Sequence, residues 1–168
     1  MEYSKWRGAE RMMTVSNLKD EVELLRRIPL FAHIDAGKLK LLAFSSERLT
    51  FEPGQNLFKQ GDTGDAAYVI INGGADVLVN TADGDVPVAK VGRNDFVGEI
   101  SILCDVPRTA TVRANSQLET LKISKEHFLR LLADFPEMAI EVMRVLADRL
   151  GRTTAELTEA RSRLAEAH

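Results

Sequence analysis

The middle of this chain is divided into short apolar runs separated by turn residues, and this pattern most limits the folds open to it. Between residues 47 and 123 the runs are rich in β-branched and aromatic side chains, and Gly, Pro, Asn and Asp cluster between them. Short strands at this spacing are typical of antiparallel sandwiches and barrels. We therefore predict a mainly β fold, a jelly-roll-like antiparallel β-barrel with flanking helices. The predicted strands are Arg48–Phe51, Asn56–Phe58, Ala67–Ile71, Asp76–Val79, Val86–Val91, Thr109–Arg113 and Leu118–Ile123.

Helical patterns precede the β region. Leu18, Val22 and Leu25 recur at helical spacing, and Pro29 is expected to end that helix. Asp35 is a candidate N-cap for a second helix. The sequence thus predicts an N-terminal helical segment over residues 1–46, before a β-barrel over residues 47–123.

Helical patterns also follow the β region, over residues 124–168. Ser124 can cap a short helix, and Pro136 suits the first turn of a long one. The long helix carries a heptad with Met143, Leu150, Leu157 and Leu164 at one position and Leu146, Thr153 and Ala160 at the other. Such a repeat favours a two-helix coiled coil and a homodimer. The alternative is a single helix lying on the barrel, with its tail frayed.

Composition excludes several classes of function. With 22 Lys and Arg against 25 Asp and Glu, the net charge is −3, which disfavours nucleic-acid binding. No apolar run approaches the ~20 residues of a membrane span, and no signal peptide is apparent, so we expect a cytoplasmic protein unless the chain is a piece of a larger one. The single cysteine, Cys104, fits a reducing compartment.

Enzyme chemistry is also disfavoured by the sequence. The three histidines lie far apart, and none falls between residues 34 and 126, so a metal site on the strands is not expected. No constellation of nucleophile and base is visible. With the chain ending at His168, a DNA-recognition helix after the long helix is not expected either.

The segment 96–112 interrupts the strands and holds the candidate site. Gly98 permits close backbone approach, and a helical turn over Glu99–Leu103 would offer free N–H groups to an anion. Arg108 adds a planar fork of donors suited to a phosphate, and Thr109 and the Ala110 amide lie nearby in the sequence. A carboxylate beside an anion site makes sense if Glu99 accepts a hydrogen bond from a sugar hydroxyl. The alternative is that Glu99 and Arg108 pair with each other and brace a loop.

The same segment resembles the phosphate-binding cassette of cyclic nucleotide-binding domains. The resemblance rests on Gly98-Glu99-Ile100-Ser-Ile-Leu103 followed by Pro107-Arg108-Thr109-Ala110-Thr111, with support from Phe51-Glu-Pro-Gly54, Gly61-Asp-Thr-Gly-Asp65 and Tyr68-Val-Ile-Ile-Asn-Gly73. It implies that Glu99 binds the ribose 2′-OH. It also implies that Arg108 neutralises the cyclic phosphate, assisted by Thr109 and the amides of Gly98 and Ala110. Ala75 departs from the family pattern, where a larger β-branched residue is usual.

In the long helix, the stretch Asp148-Arg149-Leu150-Gly-Arg-Thr153-Thr154 resembles the corresponding helix of catabolite-activator-like sensor domains. That likeness implies that Thr153 contacts the base in its own subunit and that Thr154 reaches the base of the partner. It favours cAMP as ligand over cGMP, with no cofactor. The resemblance implies a regulatory module, not an enzyme, in which the ligand repositions the C-terminal helix to signal to a downstream protein that the sequence does not identify. The alternative is the ligand-binding part of a larger transcription regulator, channel or cyclase.

Overall fold

Two four-stranded antiparallel sheets form the centre of the protein. The computed structural model describes residues 15–167. Its strands are β1 (Glu47–Phe51), β2 (Asn56–Phe58), β3 (Ala66–Asn72), β4 (Ala75–Thr81), β5 (Gly84–Val91), β6 (Phe96–Val97), β7 (Thr111–Ala114) and β8 (Leu118–Ser124). The sheet orders are β1-β8-β3-β6 and β2-β7-β4-β5, with no ladder between the two sheets. The predicted antiparallel jelly-roll-like architecture is confirmed, as two sheets that do not close into one continuous ladder.

Strand β3 shows how the core is divided. Six of its seven residues are buried, and they alternate between two apolar clusters. Ala67, Val69 and Ile71 pack with the helices, whereas Ala66, Tyr68 and Ile70 pack between the sheets. Because successive side chains on a strand point to opposite faces, one strand can serve both clusters.

The helices for which the sequence gives a start signal begin at that signal. They are α1 (Val15–Arg26), a 3₁₀ turn (Pro29–Phe31), α2 (Ala36–Ser45), α3 (Glu99–Leu103), α4 (Lys125–Asp134) and α5 (Pro136–Glu166). The Asp35 carboxylate accepts a hydrogen bond from the Lys38 N–H at 3.0 Å, and Ser124 Oγ accepts one from the His127 N–H at 3.3 Å. Both predicted N-caps are therefore confirmed. The part of the predicted N-terminal segment that precedes Val15 lies outside the described residues.

Two strand predictions need correction. The strand predicted from Thr109 begins at Thr111, because the chain around Arg108 first pairs with the turn after β2: the Arg108 N–H donates to the Asp62 carbonyl at 2.8 Å. Strand β6 was not predicted, since two residues are too few to show an alternating pattern.

The long helix α5 packs only along its first half. Met138 and Val142 are buried, but every residue from Leu150 to Ala167 is exposed. This arrangement fits both the predicted dimer and the alternative of a single helix whose tail is frayed. The heptad stripe (Met143, Leu150, Leu157 and Leu164) is 59%, 68%, 51% and 64% exposed.

Within residues 15–167, no helix has both the length and the apolar character needed to cross a membrane.

Candidate functional site

The cassette begins with a glycine in a left-handed backbone conformation. Gly98 has φ = 87° and stands at the N-cap of α3. A Cβ at this position would lie 2.6 Å from Arg108 Nη1 and 3.0 Å from the Ala66 carbonyl oxygen. Only glycine therefore fits without strain, and its absence of a side chain lets the backbone approach Arg108 closely.

Arg108 is held in place by backbone and hydroxyl acceptors. Its Nη1 donates to the Gly98 carbonyl and to Ser101 Oγ, both at 2.9 Å. Its Nη2 donates to the Ala66 carbonyl at 2.6 Å. Ser101 Oγ in turn donates to the Gly98 carbonyl at 3.1 Å. These contacts tie the guanidinium to both the start of α3 and the start of β3.

The charge of Arg108 is buried without a close anion. The residue is 3% exposed, and its Nε–H has no hydrogen-bond partner among the described residues. The nearest carboxylate, that of the exposed Asp65, is 3.8 Å from Nη2. Burial lowers the pKa of Arg108, although the side chain stays protonated in a folded protein. Such a cation, with an unused donor, is well suited to an oxyanion.

Glu99 pairs with the long helix. Arg149 Nη1 donates to Glu99 Oε1 at 3.1 Å, and Arg149 Nη2 donates to the Phe96 carbonyl at 2.7 Å. The Arg149 guanidinium also lies over the Phe96 ring, with Cζ 4.8 Å from the centroid. Glu99 is 3% exposed. Burial raises the pKa of Glu99, and the charges of Arg149 and, to a smaller extent, Arg108 oppose this rise.

The raised pKa of Glu99 predicts a specific pH dependence. The unfolded chain releases this proton at lower pH than the folded protein, so this group reduces stability as pH rises through the interval between the two pKa values. Without nucleotide, we expect the unfolding free energy of Glu99→Gln to rise relative to wild type as the pH increases above about 4, the ordinary pKa of a glutamate. Urea unfolding across this range measures it. Glu52→Gln, which changes an exposed carboxylate outside the site, is the control, and a difference that falls with pH would contradict the prediction.

The structure changes one expectation about the pair of charged residues. Among the described residues, Glu99 pairs with Arg149 and makes no ion pair with Arg108, so the alternative of a mutual Glu99–Arg108 brace does not hold. The structure also buries both side chains, which are 3% exposed each. A cleft of about 320 Å³ lies elsewhere, on the outer face of the β2-β7-β4-β5 sheet, and is lined by Asn56, Lys59, Gln60, Asn80, Asp85, Thr111 and Arg113.

The other predicted site residues are more accessible. Gly98 and Ala110 are half-buried, whereas Ile100 and Thr109 are exposed around the cassette. Thr153 and Thr154 are exposed on the free half of α5. Arg149 stands four residues before Thr153, and residues at this spacing share a helix face. The site at Glu99 and the predicted base contact therefore lie along one side of α5.

Sequence reasoning gave no role to Arg149, Ser101 or Phe58. Arg149 could have been found from its place one turn before Thr153, on the helix face predicted to meet the ligand. The contact of Ser101 with Arg108 lies within the cassette but has no pattern of its own in the sequence, and that of Phe58 with Arg108 depends on how distant segments meet. Within the described part of the chain, no three His, Cys, Asp or Glu side chains are arranged to hold a metal ion.

Comparison with known proteins places this site in a family. The sequence pattern of the cyclic nucleotide-binding domain matches residues 48–135, more than half of the chain. A cAMP-dependent protein kinase regulatory subunit from Dictyostelium discoideum is 31% identical over 129 residues, which cover 74% of this chain and 39% of that protein. A CRP-like cAMP-activated global transcriptional regulator from Mycobacterium tuberculosis is 28% identical over 138 residues, covering 82% of this chain and 62% of that protein.

The fold of this chain is also similar to that of a solved structure. The Thermus thermophilus catabolite activator protein superposes with a TM-score of 0.66 at 28% identity, covering 77% of this chain and 61% of that one. This chain thus spans less than two thirds of the length of each of these relatives. The matched residues 48–135 include the whole cassette, with Gly98, Glu99 and Arg108. The chain belongs to the family of cyclic nucleotide-binding domain proteins.

Proposed function

We propose that this protein is a regulatory module that binds a cyclic nucleotide, with cAMP preferred over cGMP, and that it is not an enzyme. The buried guanidinium of Arg108, whose ion pair with the exposed Asp65 is long and whose Nε–H has no partner among the described residues, carries the proposal. Arg108 would bind the cyclic phosphate, with Thr109 and the amides of Gly98 and Ala110 beside it. Glu99 would accept the ribose 2′-OH through Oε2, since Oε1 faces Arg149. The likeness to a cAMP-dependent kinase regulatory subunit and to a cAMP-activated transcriptional regulator favours that nucleotide.

The closed site supports coupling between ligand and helix. Glu99 and Arg108 are both buried, so a nucleotide can reach them only if neighbouring groups move. Arg149 of α5 covers this region through its contacts with Glu99 and with the Phe96 carbonyl. A ribose hydroxyl on Glu99 would therefore alter the contact that anchors α5. The ligand shifts the helix only by its difference in affinity for the two helix positions.

A calorimetric titration tests the ligand and its sugar contact. We expect saturable binding of cAMP, weaker binding of cGMP, and binding of 2′-deoxy-cAMP that is weaker than cAMP by roughly tenfold to a hundredfold, because Glu99 loses a charge-assisted hydrogen bond. In Glu99→Gln the difference between cAMP and its 2′-deoxy form should shrink. Equal binding of the two forms by wild type would remove Glu99 from the ribose contact. Binding of neither cyclic nucleotide at about 1 mM would refute the proposed function.

We further propose that the module forms a homodimer through α5. The exposed heptad stripe supplies an apolar seam that a second copy of the helix can bury. In such a dimer Thr153 would meet the base of its own subunit and Thr154 that of the partner.

The single cysteine, Cys104, is exposed and unpaired, which fits a reducing compartment such as the cytoplasm.

The dimer proposal predicts the effect of a charge in the seam. Leu150→Asp should produce monomers in sedimentation velocity, because an unpaired carboxylate cannot be buried between two helices at low cost. Leu41→Asp is the control, since Leu41 is 56% exposed on α2, away from the stripe. A wild-type protein that stays monomeric at high concentration would refute the dimer and with it the role of Thr154.

A further inference from the structure

An aromatic ring covers the face of the buried guanidinium. Phe58, the last residue of β2, places its ring centroid 4.1 Å from Arg108 Cζ. The Phe58 ring also contacts Tyr68, with 5.8 Å between centroids and an angle of 37°. Tyr68 is buried between the sheets, whereas Phe58 is only partly buried. Phe58 is thus supported from one side and lies against Arg108 with its π face.

The guanidinium is consequently fixed in both position and plane. Hydrogen bonds to the Gly98 carbonyl, Ser101 Oγ and the Ala66 carbonyl hold its two terminal nitrogens. The Phe58 ring covers one face of the guanidinium and hinders its rotation. The remaining Nε–H therefore has a set direction, and a ligand that uses it does not have to order the side chain first.

An aromatic ring stabilises a buried cation in a way that a carboxylate does not. The negative face of the ring attracts the charge but neither neutralises it nor accepts its in-plane N–H donors. A close carboxylate would do both and would compete with the phosphate of a ligand. Asp65, the nearest carboxylate, is exposed and 3.8 Å from Nη2.

We propose that Phe58 is a positioning residue for phosphate recognition, which stacks on Arg108 and keeps its charge and Nε–H available to the ligand. The proposal rests on the proposed function, since it concerns the same site. Phe58 would not touch the nucleotide; it would act through Arg108.

Three variants separate this role from general packing. In titrations with cAMP, we expect Phe58→Leu to weaken binding by roughly threefold to thirtyfold, the range of a cation–π contact between exposed and desolvated settings. Phe58→Tyr keeps the π face and should bind like wild type. Phe51→Leu is the matched control, because Phe51 packs against Tyr68 in the same cluster, with 6.5 Å between ring centroids, and does not lie over the guanidinium.

The outcomes are distinct. Weak binding by Phe58→Leu, with Phe58→Tyr and Phe51→Leu unchanged, supports the proposal. Wild-type affinity in Phe58→Leu overturns it, as does an equal loss in Phe51→Leu. Should Phe58→Leu fail to fold in a thermal melt, Phe58→Met takes its place under the same expectations. If the wild-type protein binds no cyclic nucleotide, the proposed function itself is refuted. That outcome is distinct from a refutation of the role of Phe58 alone.

Discussion

Arg108→Ala is expected to weaken cAMP binding by roughly a hundredfold. The substitution removes a buried cation and its free donor, and a charge-assisted hydrogen bond contributes about 1.5–3 kcal/mol, to which the lost Coulomb attraction adds. Isothermal titration calorimetry measures the affinity. The same change removes one donor from the Gly98 carbonyl, which keeps the Ser101 hydroxyl, and one from the Ala66 carbonyl, so we also expect the unfolding free energy to fall by about 2 kcal/mol.

The control for this prediction is Arg113→Ala. Arg113 lies on β7, on the outer face of the sheet, where it donates to Asn56 Oδ1 at 2.9 Å and pairs with Asp85 at 3.5 Å. Its loss should leave the affinity for cAMP unchanged. If Arg108→Ala is too unstable to titrate, Arg108→Lys keeps the charge, lacks the planar fork and should still bind at least about tenfold more weakly. Wild-type affinity in a folded Arg108 variant would exclude it from the phosphate site.

Gly98→Ala is expected to disrupt the site and the fold together. The new Cβ would meet Arg108 Nη1 at 2.6 Å and the Ala66 carbonyl at 3.0 Å, in a backbone conformation that alanine rarely adopts. Strain of this kind costs about 1–3 kcal/mol before the clash is counted. We therefore expect a loss of stability beyond that range in urea unfolding, and weaker cAMP binding because Arg108 must shift.

Gly84→Ala isolates the clash from the backbone strain. Gly84 also has a positive φ, of 103°, but a Cβ there would meet no heavy atom within 4 Å. We expect Gly98→Ala to cost at least about 2 kcal/mol more than Gly84→Ala. Affinity for cAMP should fall only in the Gly98 variant. Equal losses in the two variants would show that the contact with Arg108 has no energetic consequence.

The helix ends and the cassette turn were predictable because their causes are local. Asp35 and Ser124 cap their helices through hydrogen bonds to N–H groups three residues along the chain. The turn over Glu99–Leu103 follows a glycine that can adopt a positive φ. The strands were predictable from short apolar runs between turn residues, since both signals lie within a few residues of each other. Each of these signals involves residues that are close together in the sequence, so it can be recognised without the tertiary structure.

The arrangement of side chains at the site depends on contacts between segments that are distant in the sequence. Glu99 and Arg149 are 50 positions apart, and Arg108 depends on the carbonyl of Ala66 and the ring of Phe58. No local pattern specifies such partners, because they meet only when the sheets and α5 have packed. The sequence alone therefore indicated which residues are candidates for binding an anion and a sugar. The tertiary structure alone decided that Arg108 is buried without a close carboxylate and that Arg149 closes over Glu99, since burial and pairing are properties of the packed chain.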